Sequence, residues 1–356
     1  MTRETRDRST TERGRIRIEG FDEAVAADRD DAAVDPWVDG RATDGRAVDA
    51  APLSRGRFED AWSRFRSNRT AMLGLAIIAV LSIVAVFARP IAFSTAEYTI
   101  TVQPFSLAPY DPAEMYVGPP NAGPSVAHPF GTDWAGRDLF SRVLVGGRFS
   151  LSIGVVAVAL ALVVGVPLGA IAGYFGGWVD ELVMRVVDTL YAFPFLVLAI
   201  AVVAVVGRGY WNIVAALALT GWIGYARLLR GEVLSVKERE YVTAARALGT
   251  PDRTVIARHV LPNAVAPVIV QATLNVGTVV LTAAALGFLG LGLEPSTAEW
   301  GSMLADGRDS IAGGHWHRTV FPGLAIFLFV MAINLVGDGI NDALDPRGET
   351  AERRRR

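Results

Sequence analysis

The stretch Glu240-Tyr-Val-Thr-Ala-Ala-Arg-Ala-Leu-Gly249, followed by Thr250-Pro251 and closing on His259-Val-Leu-Pro-Asn263, decides how this chain reads. It is a polar segment set between two long apolar runs. A helical pattern ends at Leu248, and Gly249 then stands where a left-handed residue costs least. Thr250 is placed to cap a second helix and Pro251 to open it, where a missing N–H would be unpaired anyway. The expectation is a tight helical hairpin. Ala244, Ala245 and Ala247 leave its outer face nearly bare, so another surface can approach the backbone.

The surroundings are those of a membrane protein. Of 356 residues, 51% are hydrophobic, and the charged ones cluster in a few places. Mean hydropathy is +0.34. A net charge of −2 supplies no basic field for nucleic acid. The absence of Cys excludes disulfides, thiolate metal sites and Cys nucleophiles. Lys237 is the only lysine, and Glu238 follows it, so the Gly-Lys-Ser/Thr of a phosphate-binding P-loop cannot form. If ATP drives the work, another polypeptide hydrolyses it.

Residues 1–57 mix Asp, Arg, Gly and Ala and read as a disordered cytosolic tail without a cleavable apolar core. Residues 58–70, with Phe58, Trp62 and Phe65 among arginines, read as an amphipathic helix lying on an anionic membrane face. Apolar runs at Ala71–Ala88, Phe149–Ala172, Val183–Val206, Trp211–Leu229, Ala264–Leu291 and Thr319–Ile340 give six spans. The domains expected are a first span with an exposed loop over 71–146, a five-span core over 147–345 whose inner loop is 230–263, and a cytosolic tail over 346–356. The fold class is all-α integral membrane. Arg55–Arg69, the set from Arg227 to Arg258, and Arg347 with Arg353–Arg356 fall on one side of these spans. The other side has fewer, chiefly Arg137, Arg142, Arg148, Arg208, Arg308 and Arg318. The positive-inside rule then makes both termini and the hairpin cytosolic. Tyr174 and Trp178 at one face, and Tyr210 and Trp211 at the other, suit interfacial aromatic belts.

The hairpin resembles the EAA loop of ABC-importer permeases, through Ala244, Ala245, Gly249, Leu261 and Pro262. Thr243 replaces the signature Glu and His259 the Ile, and Glu240 one turn earlier stands in for the missing carboxylate. Matching segments run from about Trp62 to Arg347. They include His128-Pro-Phe-Gly-Thr-Asp133, Ala172-Gly-Tyr-Phe-Gly-Gly-Trp178, Phe288-Leu-Gly-Leu-Gly292 and Gly337-Asp-Gly339. His-x-Leu-Pro-Asn is similar to the dipeptide/oligopeptide branch, second-permease (C-type) subunit. The resemblance implies a type I importer permease fold and a coupling loop of Glu240, Thr243, Ala244, Ala245, Arg246, Gly249, His259, Leu261 and Pro262. It implies a homologous second permease, two cytosolic ATPases holding ATP and Mg, and an extracytoplasmic binding protein, with no cofactor or catalytic residue in this chain. Dipeptides or oligopeptides are the expected cargo, and the same machinery also serves nickel chelates and other small solutes. An ion-driven secondary transporter would need no such loop and often shows related halves, for which no repeat is evident. An intramembrane enzyme would need a catalytic constellation, which is missing.

Other features carry two readings each. Gly165, Gly169 and Gly173 form a packing seam or a moving interface. Arg185 and Asp188, three apart, form a structural ion pair or touch substrate. Gln271 and Asn275 line a pathway or make an interhelical hydrogen bond. Asn334, Asp338 and Asp342 form a stripe whose carboxylates oppose the helix dipole, so Asp338 or Asp342 is expected to pair with Arg246 or else simply be solvated. Asp133, Arg137 and Asp138 contact a delivery protein or fix their own loop. His315-Trp-His317 lacks the further ligands that a metal needs.

Overall fold

The computed structural model describes residues 55–94, 99–294 and 296–344. The expected tails therefore lie outside the described residues, except for Arg55–Arg57, which open the first helix.

Helix α1 (Arg55–Ser67) and helix α2 (Arg69–Phe87) meet at Asn68, whose side chain accepts from the amides of Thr70 and Ala71 at 3.1 and 3.2 Å. That cap satisfies two of the donors a helix start leaves open. Strands β1 (Ile91–Ser94) and β2 (Thr99–Gln103) add a two-stranded antiparallel sheet to the all-α expectation. Helix α3 (Leu139–Phe175) follows a loop and runs 37 residues, about 55 Å. It exceeds the expected span because Asp138 caps it early, accepting from Ser141 N at 2.8 Å.

The expected third span is instead two helices, α4 (Gly177–Tyr191) and α5 (Phe195–Val206), bent by 88°. The cause is local. Pro194 pushes the residue before it out of the helical region, and its own ψ is 130°. Helices α6 (Tyr210–Lys237), α10 (Ala266–Phe288) and α12 (His317–Leu344) complete the bundle, with a short helix α11 (Trp300–Gly307) between the last two. Between α6 and α10 stand α7 (Glu240–Ala247), α8 (Asp252–Val255) and α9 (Leu261–Ala264). Among the described residues, five helices are long and apolar enough to cross a membrane, and the bent pair makes a sixth if counted as one span. We call the two ends of the bundle the hairpin end, at α7–α9, and the loop end, at residues 104–138.

Helix α3 packs against α6 through the glycine seam. A Cβ at Gly165 would lie 2.6 Å from Trp222 O, one at Gly169 2.5 Å from Ala226 O, and one at Gly173 2.9 Å from Arg230 O. Apolar surfaces gain nothing by leaving lipid for one another, so close backbone approach is what holds such helices together. The side chain of the sole lysine, Lys237, closes the seam by donating to Gly173 O at 2.9 Å. The core continues through Ile153, Ile213, Leu217, Leu229 and Leu286, all buried. Helix α1 does not lie wholly on a membrane face as expected. Its Phe65 is 6% exposed, packed with Ala71 and Val336, while Trp62 remains half exposed. Asn68 also donates to Asp342 at 3.2 Å, tying the start of α2 to the end of α12.

The loop end is a single hydrogen-bonded block. Asp133 accepts from Arg137 Nε at 2.5 Å and from the amides of Ala135 and Arg137 at 2.8 and 3.0 Å. His128 Nδ1 lies 2.9 Å from Asp138 Oδ1. Arg318 from α12 donates to Asn121 at 3.0 Å and to Asp306 O, while Arg142 donates to Pro112 O at 2.7 Å. Asp133, Arg137, Asp138 and Arg142 are all buried, so these charges fix the loop on the bundle.

Candidate coupling site

The hairpin forms as a Schellman-capped turn. Gly249 has φ +79°, its amide donates to Arg246 O at 2.9 Å, and the Thr250 amide donates to Ala245 O at 3.1 Å. Thr250 is thereby used to end α7 and does not cap α8. Pro251 stands at the N-cap position instead, one place earlier than expected, and its carbonyl accepts from Thr254 and Val255.

Leu261 and Pro262 shape the returning limb. Proline cannot donate to the carbonyl four residues back and crowds it. The backbone widens ahead of it into a π-turn over Ile256–Val260, with Leu261 N bonded to Ile256 O. His259 is half-buried in that turn, and its carbonyl accepts from Asn263 Nδ2 at 2.8 Å.

Burial divides the hairpin into two faces. Val242, Val255, Val260 and Ala264 are completely buried and join the main core. Each valine so buried contributes about 2 kcal/mol. The other face is bare: Glu240, Thr243, Ala244, Arg246, Ala247, Gly249 and Pro262 are exposed and Ala245 half-buried. Leu248 at the tip is 86% exposed. Such an exposed apolar tip on small-residue walls suits insertion into a complementary protein cleft.

What orients the hairpin is Tyr174, which the sequence assigned to an aromatic belt. Its hydroxyl donates to Asp252 Oδ1 at 2.6 Å and accepts from Arg246 Nε at 3.3 Å. The Arg246 guanidinium also lies 4.7 Å from the centre of its ring. Arg246 is thus held by Tyr174, and the pairing expected with Asp338 or Asp342 does not form. Asp342 meets Asn68, and Asn334 and Asp338 are exposed on α12. A tyrosine at the end of a glycine seam was the available signal. Tyr174→Phe keeps the ring but removes both hydroxyl bonds, a loss of about 1–2 kcal/mol to the hairpin's attachment. Amide hydrogen exchange over 240–255 is expected to accelerate about tenfold, with exchange in α3 unchanged.

The expected pathway residues separate into two groups. Arg185 does not pair with Asp188: Arg185 bonds Glu181 at 2.7 Å, one turn back, and Asp188 pairs with Arg227 on α6. Asp180 accepts from Arg230 Nε and Nη2 at 2.5 and 2.6 Å. Gln271 donates to Asn275 at 2.9 Å, and Asn275 donates to the Tyr225 hydroxyl at 3.0 Å, an interhelical bond between α10 and α6. Asn275 and Tyr225 also line a cavity of about 600 Å³ at the α4–α5 break.

A group that sequence reasoning missed is Glu299. It is 3% exposed, caps α11 by accepting from Gly301 N and Ser302 N at 2.8 and 2.9 Å, and accepts from Ser150 on α3 at 3.1 Å. Trp300 beside it donates to Val143 O at 2.9 Å. Its signal was an acidic residue immediately before a helical run.

A bundle of membrane-spanning helices with a buried-backed, bare-faced hairpin defines an integral-membrane permease subunit. Residues 165–349 match the family model of the binding-protein-dependent transport system inner membrane component, and residues 56–124 that of the N-terminal TM domain of oligopeptide transport permease C. The chain belongs to this family of ABC-importer permeases, in the C-type branch of its peptide members. It is 44% identical over 308 residues to the glutathione transport system permease protein GsiD of Escherichia coli O6:K15:H31, covering 85% of this chain and 96% of that one. It is 43% identical over 290 residues to the dipeptide transport system permease protein DppC of Alkalihalophilus pseudofirmus, covering 82% and 90%. The solved MetNI methionine ABC transporter, in inward-facing conformations, overlaps 57% of this chain and 97% of its own at a TM-score of 0.47 and 19% identity.

Proposed function

We propose that this chain is the C-type permease of an ATP-driven importer of short peptides, and that the hairpin from Glu240 to Asn263 docks a cytosolic ATPase. The observation that carries the docking role is the hairpin's division into a buried valine face and a bare alanine face ending on Leu248. Burial locks the hairpin to α6, so a push on the bare face is delivered to α3 and α6 through Tyr174 and the glycine seam. The substrate class is supported by relatives named for glutathione and dipeptide transport. Two ATPases hold ATP and Mg, a second permease completes the path, and an extracytoplasmic binding protein delivers cargo at the loop end. Both termini and the hairpin are cytosolic, as the arginine distribution supports. Glu240, Thr243 and His259 shape the rim of the dock, and Gln271, Asn275, Asn334 and Asp338 border the path.

Because the chain has no cysteine, a single Leu248→Cys reports without background. An impermeant maleimide is expected to label it in inside-out but not right-side-out vesicles, and bound ATPase subunits should shield it. Labelling from the outside, or labelling indifferent to the ATPases, would overturn the docking assignment.

A further inference from the structure

Helix α4 is tied to α6 by two ion pairs. Asp180 and Asp188, about 12 Å apart along α4, meet Arg230 and Arg227, only about 4.5 Å apart along α6. Ahead of the 88° break, α4 forms a crosspiece at the hairpin end, with α5 on the far side of the break. Its polar face is open. Glu181 and Arg185 are 69% and 74% exposed, and Asp188 and Arg227 are 65% and 42% exposed. Charged side chains are too costly to turn toward hydrocarbon, so this face meets water or a polar ligand.

Each carboxylate has an arginine partner: Asp180 pairs with Arg230, Glu181 with Arg185 and Asp188 with Arg227. A depression of about 650 Å³ follows all of them but Arg227. The cavity of about 600 Å³ at the break differs in kind. Tyr191, Phe193, Phe195, Tyr225, Asn275 and Thr278 line it, and no charged residue does. Tyr191 lines the neutral cavity, and its ring lies 4.3 Å beneath the guanidinium of Arg227, the partner of Asp188 in the charged depression. Gly224 faces open space in the neutral cavity, for a Cβ there would meet nothing within 4 Å. Both volumes fall in the range of small-molecule sites, about 300–1,000 Å³.

Exposed ion pairs contribute only about 0–1 kcal/mol, so they can exchange partners with an incoming ammonium and carboxylate at little cost. A solute of net charge would leave one protein charge unpaired. A solute carrying both charges around an uncharged amide leaves none, and its neutral part suits a chamber of aromatic rings, hydroxyls and one carboxamide. We infer that the α4 crosspiece and the cavity behind it form a binding site on the hairpin side of the path, within the permease itself, for a zwitterionic amide: a short peptide with free termini. This rests on the peptide-importer reading above and adds a selectivity filter separate from any binding protein.

The test uses the purified transporter complex carrying Gly224→Cys as the only cysteine of this subunit. Ala-Ala is expected to slow methanethiosulfonate labelling about threefold at twice its Kd. N-acetyl-Ala-Ala-amide, without terminal charges, should not slow it, and adding Arg227→Gln or Asp188→Asn should abolish the Ala-Ala effect. No slowing by Ala-Ala, or equal slowing by the capped peptide, overturns the proposal. Slowing by glycerophosphoethanolamine without slowing by Ala-Ala overturns it as well, since the site then belongs to a lipid headgroup. Thr278→Cys, which lines the same cavity, serves if the Gly224 variant does not assemble. Labelling needs no ATP, so failure here leaves the docking role of the hairpin intact. Uptake of Ala-Ala by the whole transporter tests the peptide reading by itself.

Discussion

Gly249→Val is expected to reduce ATP-driven uptake to less than about a tenth of the parent rate, with membrane insertion and protein level unchanged. The effect is one of backbone conformation. A Cβ at this position would meet nothing within 4 Å, so valine fits sterically. What it cannot easily adopt is φ +79°, where a β-branched residue costs about 1–3 kcal/mol. Relaxing toward negative φ breaks the paired bonds from Gly249 to Arg246 and from Thr250 to Ala245 and re-aims Leu248. A misfit of about 1.4 kcal/mol at the dock already lowers association tenfold. Gly249→Asn, which tolerates the left-handed region, should retain most activity. Transport assays beside nucleotide hydrolysis by the complex decide the matter: normal uptake by the valine variant would remove Gly249 from coupling.

Gly169→Leu should act on the fold instead, leaving little folded subunit to extract from membranes. Its Cβ would stand 2.5 Å from Ala226 O, and the obstructing atom is backbone, which cannot rotate away. Relief requires separating α3 from α6 along a seam that Gly165 and Gly173 also hold close. Overpacking costs about 1–3 kcal/mol where side chains can yield, so a helix pair joined through its backbones stands at or above the top of that range. Gly231 on α6 is the matched control, since a Cβ there meets nothing within 4 Å. Gly231→Leu is expected to extract as a normal monodisperse peak in size-exclusion chromatography. Equal behaviour of the two variants would mean that the seam does not set the helix pair.

Much of this was readable from local chemistry. The apolar runs, the Leu248–Gly249 helix end and the glycine spacing on α3 each depend on residues a few places apart, and each appears in the structure. Where the reading went astray, a distant partner prevailed. Asp188 meets Arg227 across 39 residues, although Arg185 lies a turn away. Arg246 meets Tyr174 across 72 residues and leaves the α12 carboxylates. The third apolar run is bent, and does not run straight, for a local reason, the effect of Pro194 on the residue before it.

The sequence by itself determined the membrane setting, the number of apolar runs, the projecting hairpin and the exclusion of a P-loop, because hydropathy, period and Gly/Pro stereochemistry act within a few residues. Only the tertiary structure decided which arginine meets which carboxylate, that Tyr174 orients the hairpin, and that an 88° break sets a charged crosspiece beside a neutral cavity. A side chain's partner is chosen by which helices cross and at what angle, and that depends on the packing of the whole bundle.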